Sequence, residues 1–292
     1  MKFMKKLAIN FFVFLVKVLP AGFLRKKIWN FVSWRIFEFS TSTHFDFKIQ
    51  GTTRDLIQRN IFYFGIWEPN LTKFVRNRLL GLKGRVFLDI GANIGYFSLL
   101  ASKVMPAGYV VSVEAYPSIY EKLIRNIFQN SIKNIRPVNC AVVDFARQVK
   151  MTYYGDGNEG RTFISSEGDV AVSGLPIVEI LSPSEIPKVR LVKIDVEGAE
   201  YLVCKGLFCI LDEFPHDCEF VIEINPSAHT ENQISEIFDC FYSRGFSSYI
   251  LPNNYDDDYY LNLSRRDVNF ELKKSNQILK SQEDVVFSRI IN

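Results

Sequence analysis

The 292-residue chain has few cysteines: five, an odd number with no C-x-x-C pair, so neither a disulfide framework nor a cysteine zinc site suits it. Cys140, Cys204 and Cys209 lie in apolar surroundings and read as small core residues in a reducing compartment. Repeats and low-complexity tracts are absent, and with 48% hydrophobic residues the composition is that of a globular protein. No stretch reaches the ~20 uninterrupted apolar residues of a spanning helix. No acid occurs before Glu38.

The missing acids mark out an arm. Residues 1–37 hold Lys2, Lys5, Lys6, Lys17, Arg25, Lys26, Lys27 and Arg35, so the arm carries +8 against a net +3 for the chain, and the remainder is acidic. Leu7 to Leu19 is very apolar, yet Lys6, Asn10 and Lys17 share one helical face and Pro20 follows. Lysines on one side and phenylalanines on the other, then Arg25-Lys-Lys27 beside Trp29 and Trp34, suit a helix lying in the interface of an anionic membrane. A helix packed on the domain or binding a partner, and a signal peptide or signal anchor, are the alternatives, although no A-x-A site follows the run. The arm is too apolar for nucleic acid to lead. The expected location is the cytoplasm, peripheral on the cytosolic face of a membrane. The expected division is an arm at 1–37, an entry segment at 38–84 and the main domain at 85–292.

That domain is organised around Arg85-Val-Phe-Leu-Asp-Ile-Gly-Ala-Asn-Ile-Gly-Tyr-Phe-Ser98. Val86, Phe87, Leu88 and Ile90 fit a strand covered on both faces, with Asp89 at its carboxyl end. Gly91 and Gly95 leave a turn that backbone or ligand can approach closely, and a helix opens after it with its amides pointing back. The spacing is G-x-x-x-G, lacking the glycines of the G-x-G-x-x-G dinucleotide fingerprint, which counts against a nicotinamide or flavin dinucleotide. Tyr109 to Glu114 is a second strand ending in an acid 25 positions after Asp89. A carboxylate there can accept both hydroxyl protons of a ribose. Pro117 then starts a helix with Ile119, Leu123, Ile124, Ile127 and Phe128 on one face.

Ile135 to Asp144 reads as a third strand. Val149–Tyr154, Thr162–Ser165 and Val178–Leu181 alternate like strands of an antiparallel insertion, with Gly155-Asp-Gly157 and Glu159-Gly160 as turns. Arg190-Leu-Val-Lys-Ile-Asp-Val-Glu-Gly-Ala-Glu200 is a fourth strand with Lys193 and Asp195 on one face and Glu197 just beyond. Glu219 to Asn225 is a fifth, carrying Glu223, and His229 follows in a loop at the ligand edge, where its side chain could take a proton. Phe246–Leu251 and Asp284–Ile290 close the sheet, and Asn253–Asp258 reads as an acidic surface loop. Upstream, Leu71–Leu82 reads as a helix. Trp67-Glu68-Pro69 reads as a structural turn, with a reach to the site mouth as the alternative.

Strand-Asp-x-Gly-x-x-x-Gly-helix resembles the first motif of class I S-adenosylmethionine-dependent methyltransferases. Together with Lys193-Ile-Asp-Val-Glu-Gly-Ala-Glu200 and the Trp-Glu-Pro approach, it resembles the FkbM family of that class, over about residues 65 to 225. The fold this implies is α/β, a Rossmann-like, mostly parallel seven-stranded sheet of order 3-2-1-4-5-7-6 with helices on both faces. The resemblance implies S-adenosylmethionine framed by Asp89, Gly91, Ala92, Asn93, Gly95, Tyr96, Glu114, Ala115 and Asp195, with Ala141 near the adenine. It implies O-methylation of a sugar, glycan or related metabolite.

In that sheet order the tips of strands one, four and five meet, which gathers Asp89, Asp195 and Glu223. Clustered carboxylates raise one another's pKa, so one can serve as a general base; Asp195, Glu197, Glu223 and His229 are the candidates and Lys193 the neutralising partner. For Asp195 and Glu197, helix capping competes with a chemical role. A divalent metal would find hard oxygen ligands in Asp195, Glu197 and Glu223, but their spacing is no known metal signature. A nucleotide-binding oxidoreductase and a non-catalytic binding protein on the same fold remain the competing classes.

Overall fold

The structure, a computed structural model, describes residues 11–153, 162–263, 270–275, 277 and 279–291. Helix α1 (11–18) and α2 (Phe23–Val32) precede a hairpin of β1 (Glu38–Ser42) and β2 (Lys48–Thr52), then α3 (Leu56–Phe64) and α4 (Pro69–Leu79). The α/β core begins with β3 (Lys83–Ile90), α5 (Tyr96–Val104), β4 (Ala107–Val113), α6 (Pro117–Gln129) and β5 (Ile135–Val138). An insertion holds β6 (Ala141–Val142), β7 (Arg147–Tyr153), β8 (Thr162–Ile164) and β9 (Val170–Leu175). After α7 (Ile177–Ile180) come β10 (Val189–Ile194), α8 (Glu200–Leu207), β11 (Glu219–Ile224) and α9 (Glu231–Tyr242). The chain ends with β12 (Ser247–Leu251), α10 (Asp257–Asn262), β13 (Lys273–Lys274) and β14 (Glu283–Ser288).

The main sheet runs β13-β12-β14-β11-β10-β3-β4-β5. This is the expected Rossmann-like 3-2-1-4-5-7-6 order with one short edge strand, β13, added. Strands β5, β4, β3, β10 and β11 are parallel, and β14 is antiparallel to both its neighbours. The run Val86 to Ile90 is apolar throughout because both faces are covered. Phe87 packs with α4 and α5 on one face, Val86 and Leu88 with α8 and α9 on the other.

Period two along each strand also fixes which polar residues meet. Lys193 pairs in register with Asp89 on one side, and Glu223 pairs with Asp284 across the antiparallel β11–β14 ladder. Asp89, Lys193 and Glu223 all fall on the α5 face, at the carboxyl ends of β3, β10 and β11.

Several expectations are corrected. The single third strand breaks at Asn139, whose Nδ2 donates to the carbonyls of Glu114 and Ala115 at 2.8 and 3.0 Å, so β5 and β6 enter different sheets. Val178–Leu181 is not a strand: it overlaps α7, a short apolar run of the kind periodicity alone cannot assign. In the insertion β7 pairs antiparallel with β8 and β9, while β6 joins β9 in parallel. Its glycine turns at 155–160 lie outside the described residues. The helix expected over Leu71–Leu82 ends at Leu79, where Gly81 turns the chain at φ +74°. Cys209 is exposed rather than a core residue, because it sits in the turn that leaves α8.

Residues 11–37 pack on the domain. Helix α2 buries Arg25, Ile28, Trp29 and Val32, with the Trp29 ring 4.9 Å from Tyr63 and 5.2 Å from Phe64. The Arg25 guanidinium donates to the carbonyls of Val16 and Leu261 at 2.9 and 2.7 Å, which ties α1, α2 and α10 together. Among the described residues no helix is long and apolar enough to cross a membrane.

Candidate active site

A cavity of about 600 Å³ opens at the carboxyl ends of β3, β4, β10 and β11. One pole is the glycine turn. Gly91 has φ +77°, and a Cβ there would stand 1.7 Å from the Asp195 carbonyl oxygen, so only glycine lets β3 and β10 close together at this point. Asn93 follows in the left-handed region at φ +51°, which turns its N–H onto Glu114 Oε2 at 2.9 Å. Glu114 Oε1 accepts the N–H of Tyr116 at 2.8 Å. Burial pushes the Glu114 carboxyl up to about 7 against those two hydrogen bonds. Its oxygens keep lone pairs toward the cavity, and Ile119, Cys140, Ala141, Val142, Met151 and Ile164 add an apolar slot beside it.

The other pole is acidic. Glu68 enters from the turn before α4 at φ +40°, and with Asp195, Glu197 and Glu223 it lines the wall. Glu197 is also left-handed, at φ +43°. Lys193 sits behind this wall with Nζ 2.7 Å from Asp195 Oδ2 and 5.0 Å from the Phe97 ring centroid. The Tyr255 hydroxyl lies 2.8 Å from Glu68 Oε1 and 3.0 Å from Glu223 Oε1. A phenol has one proton to donate, so only a second proton, on one of the two carboxyls, satisfies both contacts. Burial, then the neighbouring carboxylates, raises Glu68 to about 8 and Asp284 to about 7, and pushes Glu223 well above the carboxylate range. Asn253 Nδ2 donates to Asp284 Oδ2 at 2.9 Å, which holds the Tyr255 segment in place. The Trp67 ring stands 5.6 Å from Tyr255.

Of the residues expected at a cofactor, Gly91, Asn93, Glu114, Ala115, Ala141 and Asp195 line the cavity. Ala92, Gly95 and Tyr96 are not brought to its wall. Gly95 closes on Leu123, and the Tyr96 hydroxyl meets Thr72 Oγ1 at 3.3 Å in the core. Asp89 lies beneath the turn with no exposed surface: Ser98 Oγ donates to its Oδ2 at 2.5 Å, its Oδ1 is unpartnered, and burial raises its pKa. Of the residues expected to act on a proton, Glu197 and Glu223 line the wall, whereas His229 does not. Its Nε2 is 2.6 Å from Glu200 Oε2, and both side chains are buried behind α8. Among the described residues no cluster of three or more His, Cys, Asp or Glu is arranged to hold a metal.

Sequence reasoning missed Tyr255 and Asp284 and put Glu68 in a structural turn. The segment Asn253–Asp258 is no surface loop: Asn253, Asn254, Tyr255 and Asp256 line the cavity, and Asp257 accepts from Trp29 Nε1 at 3.1 Å. An acid between three aromatics and a proline, as in Tyr63–Pro69, and an acid opening the apolar run Val285-Val286-Phe287 were the available signals.

A Rossmann-like sheet with a glycine turn, a buried carboxylate at the tip of the next strand and an acidic pole at the same edge has the layout of α/β proteins that bind ligands at the carboxyl ends of their strands. The Methyltransferase FkbM domain profile matches residues 89–248, and the chain belongs to that family. Two curated relatives are similar to it. The methyltransferase sdnD of Sordaria araneosa is 26% identical over 153 residues, covering 41% of this chain and 59% of the relative. The hexuronic acid methyltransferase AglP of Haloferax volcanii is 25% identical over 122 residues, covering 42% and 49%. The chain thus spans about half of each relative's length. Among solved structures, TYW2 of M. jannaschii, in complex with AdoMet, is 14% identical with a TM-score of 0.41, covering 88% of each chain.

Proposed function

We propose that the chain is an S-adenosylmethionine-dependent methyltransferase acting on a hydroxyl oxygen of an uncharged, sugar-like acceptor. One observation carries the reading: a single cavity joins the Gly91–Glu114 pole to the Glu68–Tyr255–Glu223 pole. The residues fit the cofactor. Glu114 has free lone pairs for a ribose diol, the slot from Ile119 to Ile164 suits an adenine, and the end of the cavity lined by the Gly91 backbone remains for the amino-acid part. When bound, S-adenosylmethionine supplies a methyl group on a sulfonium, with a neutral thioether as leaving group. Positioning then does most of the catalysis.

This chain's own part is to seat the acceptor and take its proton. Glu68 and Glu223, bridged by the Tyr255 hydroxyl, share one proton and leave one ionised carboxylate to receive another, so the proton balance belongs to the pair. Lys193 offsets the charge and fixes Asp195. Among the described residues lining the cavity there are six acids, Glu68, Glu114, Asp195, Glu197, Glu223 and Asp256, and no Lys or Arg. An acceptor bearing a carboxylate or phosphate next to its reacting hydroxyl meets repulsion there; hydroxyls meet acceptors, and the Trp67 and Tyr255 rings suit the apolar face of a sugar.

Calorimetric titration of the full chain with S-adenosylmethionine, beside NAD and a Glu114→Gln variant, tests the cofactor. Micromolar binding weakened roughly tenfold or more by E114Q supports the reading. Heat from NAD and none from S-adenosylmethionine overturns it. Transfer to paired neutral glycosides and uronides then tests the acceptor: preference for the uronide sinks the uncharged class and leaves the cofactor standing.

A further inference from the structure

We propose that residues 11–36 form a preset docking surface for an anionic lipid bilayer. Helices α1 and α2 each bury one face and leave the other bare. On α1, Val13 and Val16 enter the core while Phe11, Phe14 and Val18, at i, i+3 and i+7, are half exposed or more. On α2, Ile28, Trp29 and Val32 are buried while Phe23, Leu24 and Phe31 point out, and Trp34, 67% exposed, and Ile36 continue the surface. The other exposed large apolar residues, such as Leu80, Phe128 and Phe145, are scattered through the rest of the chain. The concentration in one short stretch is what calls for a partner.

Charge selects the partner. No acid occurs in residues 1–37. Cations border the bare face and stand against its rings: Lys27 Nζ is 4.5 Å from the Phe23 centroid, and the guanidinium of the half-buried Arg35 is 4.9 Å from Phe31 and 4.8 Å from Trp34. Protein interfaces exclude lysine from their apolar cores, whereas a headgroup layer takes aromatic rings and cations together. The opposite face of α2 is locked by Arg25, by Trp29 on Asp257 and by Lys26 on Asp258 at 2.6 Å. Asp257 and Asp258 follow directly on Tyr255 and Asp256 of the cavity wall, so the helix that seats in lipid also grips the segment bearing Tyr255.

Flotation of the full chain with vesicles of phosphatidylcholine alone, and of phosphatidylcholine mixed with phosphatidylglycerol, tests this without relying on the methyl-transfer reading. The expected result is roughly tenfold or greater partition onto the anionic vesicles, falling as salt is raised. Lys27→Gln with Arg35→Gln should remove roughly tenfold or more of that preference. Phe14→Ser with Phe23→Ser and Trp34→Ser should abolish binding to both vesicles, with melting temperature unchanged because the replaced side chains are exposed. Absent or charge-independent vesicle binding overturns the proposal. So does a dimer in light scattering that the triple variant dissolves without any vesicle binding, which would assign the face to a second copy.

Discussion

Strands β10 and β11 carry charge at both ends, and the two ends are built to opposite rules. At the amino ends, Glu219 has no exposed surface and meets Arg78 at 2.6 Å and Arg190 at 2.8 Å, while Asp217 is forked by Arg85 at 2.7 and 2.9 Å. Acids and bases are matched there, and the fork holds Asp217 below the usual carboxylate range. At the carboxyl ends, Glu68, Asp195, Glu223 and Asp284 crowd around one lysine, Lys193. Matched charges at the amino ends satisfy one another. Unbalanced buried charge, facing a cavity, stores a capacity to exchange protons.

Substitutions that separate stability from turnover would sharpen that contrast. Arg190→Leu should have the largest effect on stability, about 3–5 kcal/mol by denaturant unfolding, because it leaves Glu219 half neutralised; activity per folded molecule should survive. Lys193→Met should cost a comparable amount near pH 8 and less near pH 5, where Glu68 and Asp284 hold protons, and should abolish transfer. Glu68→Gln should act in the reverse sense. The folded pKa values of Glu68, about 8 against 4.5, and Asp284, about 7 against 3.8, both lie above their unfolded values. Their contribution is therefore full below the unfolded pKa and is lost as pH rises through 7 to 8. Melting scans should show E68Q above the parent at pH 9 and level with it at pH 5, with turnover lost at both.

Tyr255→Phe should change stability by about 1–2 kcal/mol and lower the transfer rate by roughly a hundredfold at unchanged cofactor affinity. Arg85→Gln should be smallest, within about 1 kcal/mol, since its partner Asp217 is 40% exposed. An Arg190→Leu variant that folds but transfers no methyl group, or an E68Q variant that turns over normally, would dissolve the contrast.

The glycine-turn pole of the cavity was legible in the sequence because it lies on consecutive elements. A strand, a glycine turn, a helix and a second strand ending in Glu114 follow one another within about thirty residues, and their spacing carries the geometry. The sheet order was legible through the family resemblance that these motifs carry, not through their spacing. The acidic pole was only half legible. Asp195 and Glu223 stand at the ends of apolar strands, but Glu68 and Tyr255 reach them from segments 127 and 32 residues away in the chain, through contacts no periodicity encodes. Tyr255 sits among polar residues that resemble a solvated loop until Asp257 and Asp258 are seen paired with the basic arm. His229 misled in the other direction: its position after β11 placed the backbone correctly, while Glu200, on the neighbouring helix, took the side chain.

Three residues of the cavity wall, Glu68, Asn93 and Glu197, hold left-handed backbones that side chains disfavour. Each such residue costs on the order of 1 kcal/mol or more, which the surrounding fold absorbs. The chain is thus less heat-resistant than its architecture allows, and the shortfall is concentrated along the cavity wall. A library selected only for survival at high temperature should accumulate glycine at these three positions and so lose Glu68, one of the two carboxyls proposed to take the acceptor's proton.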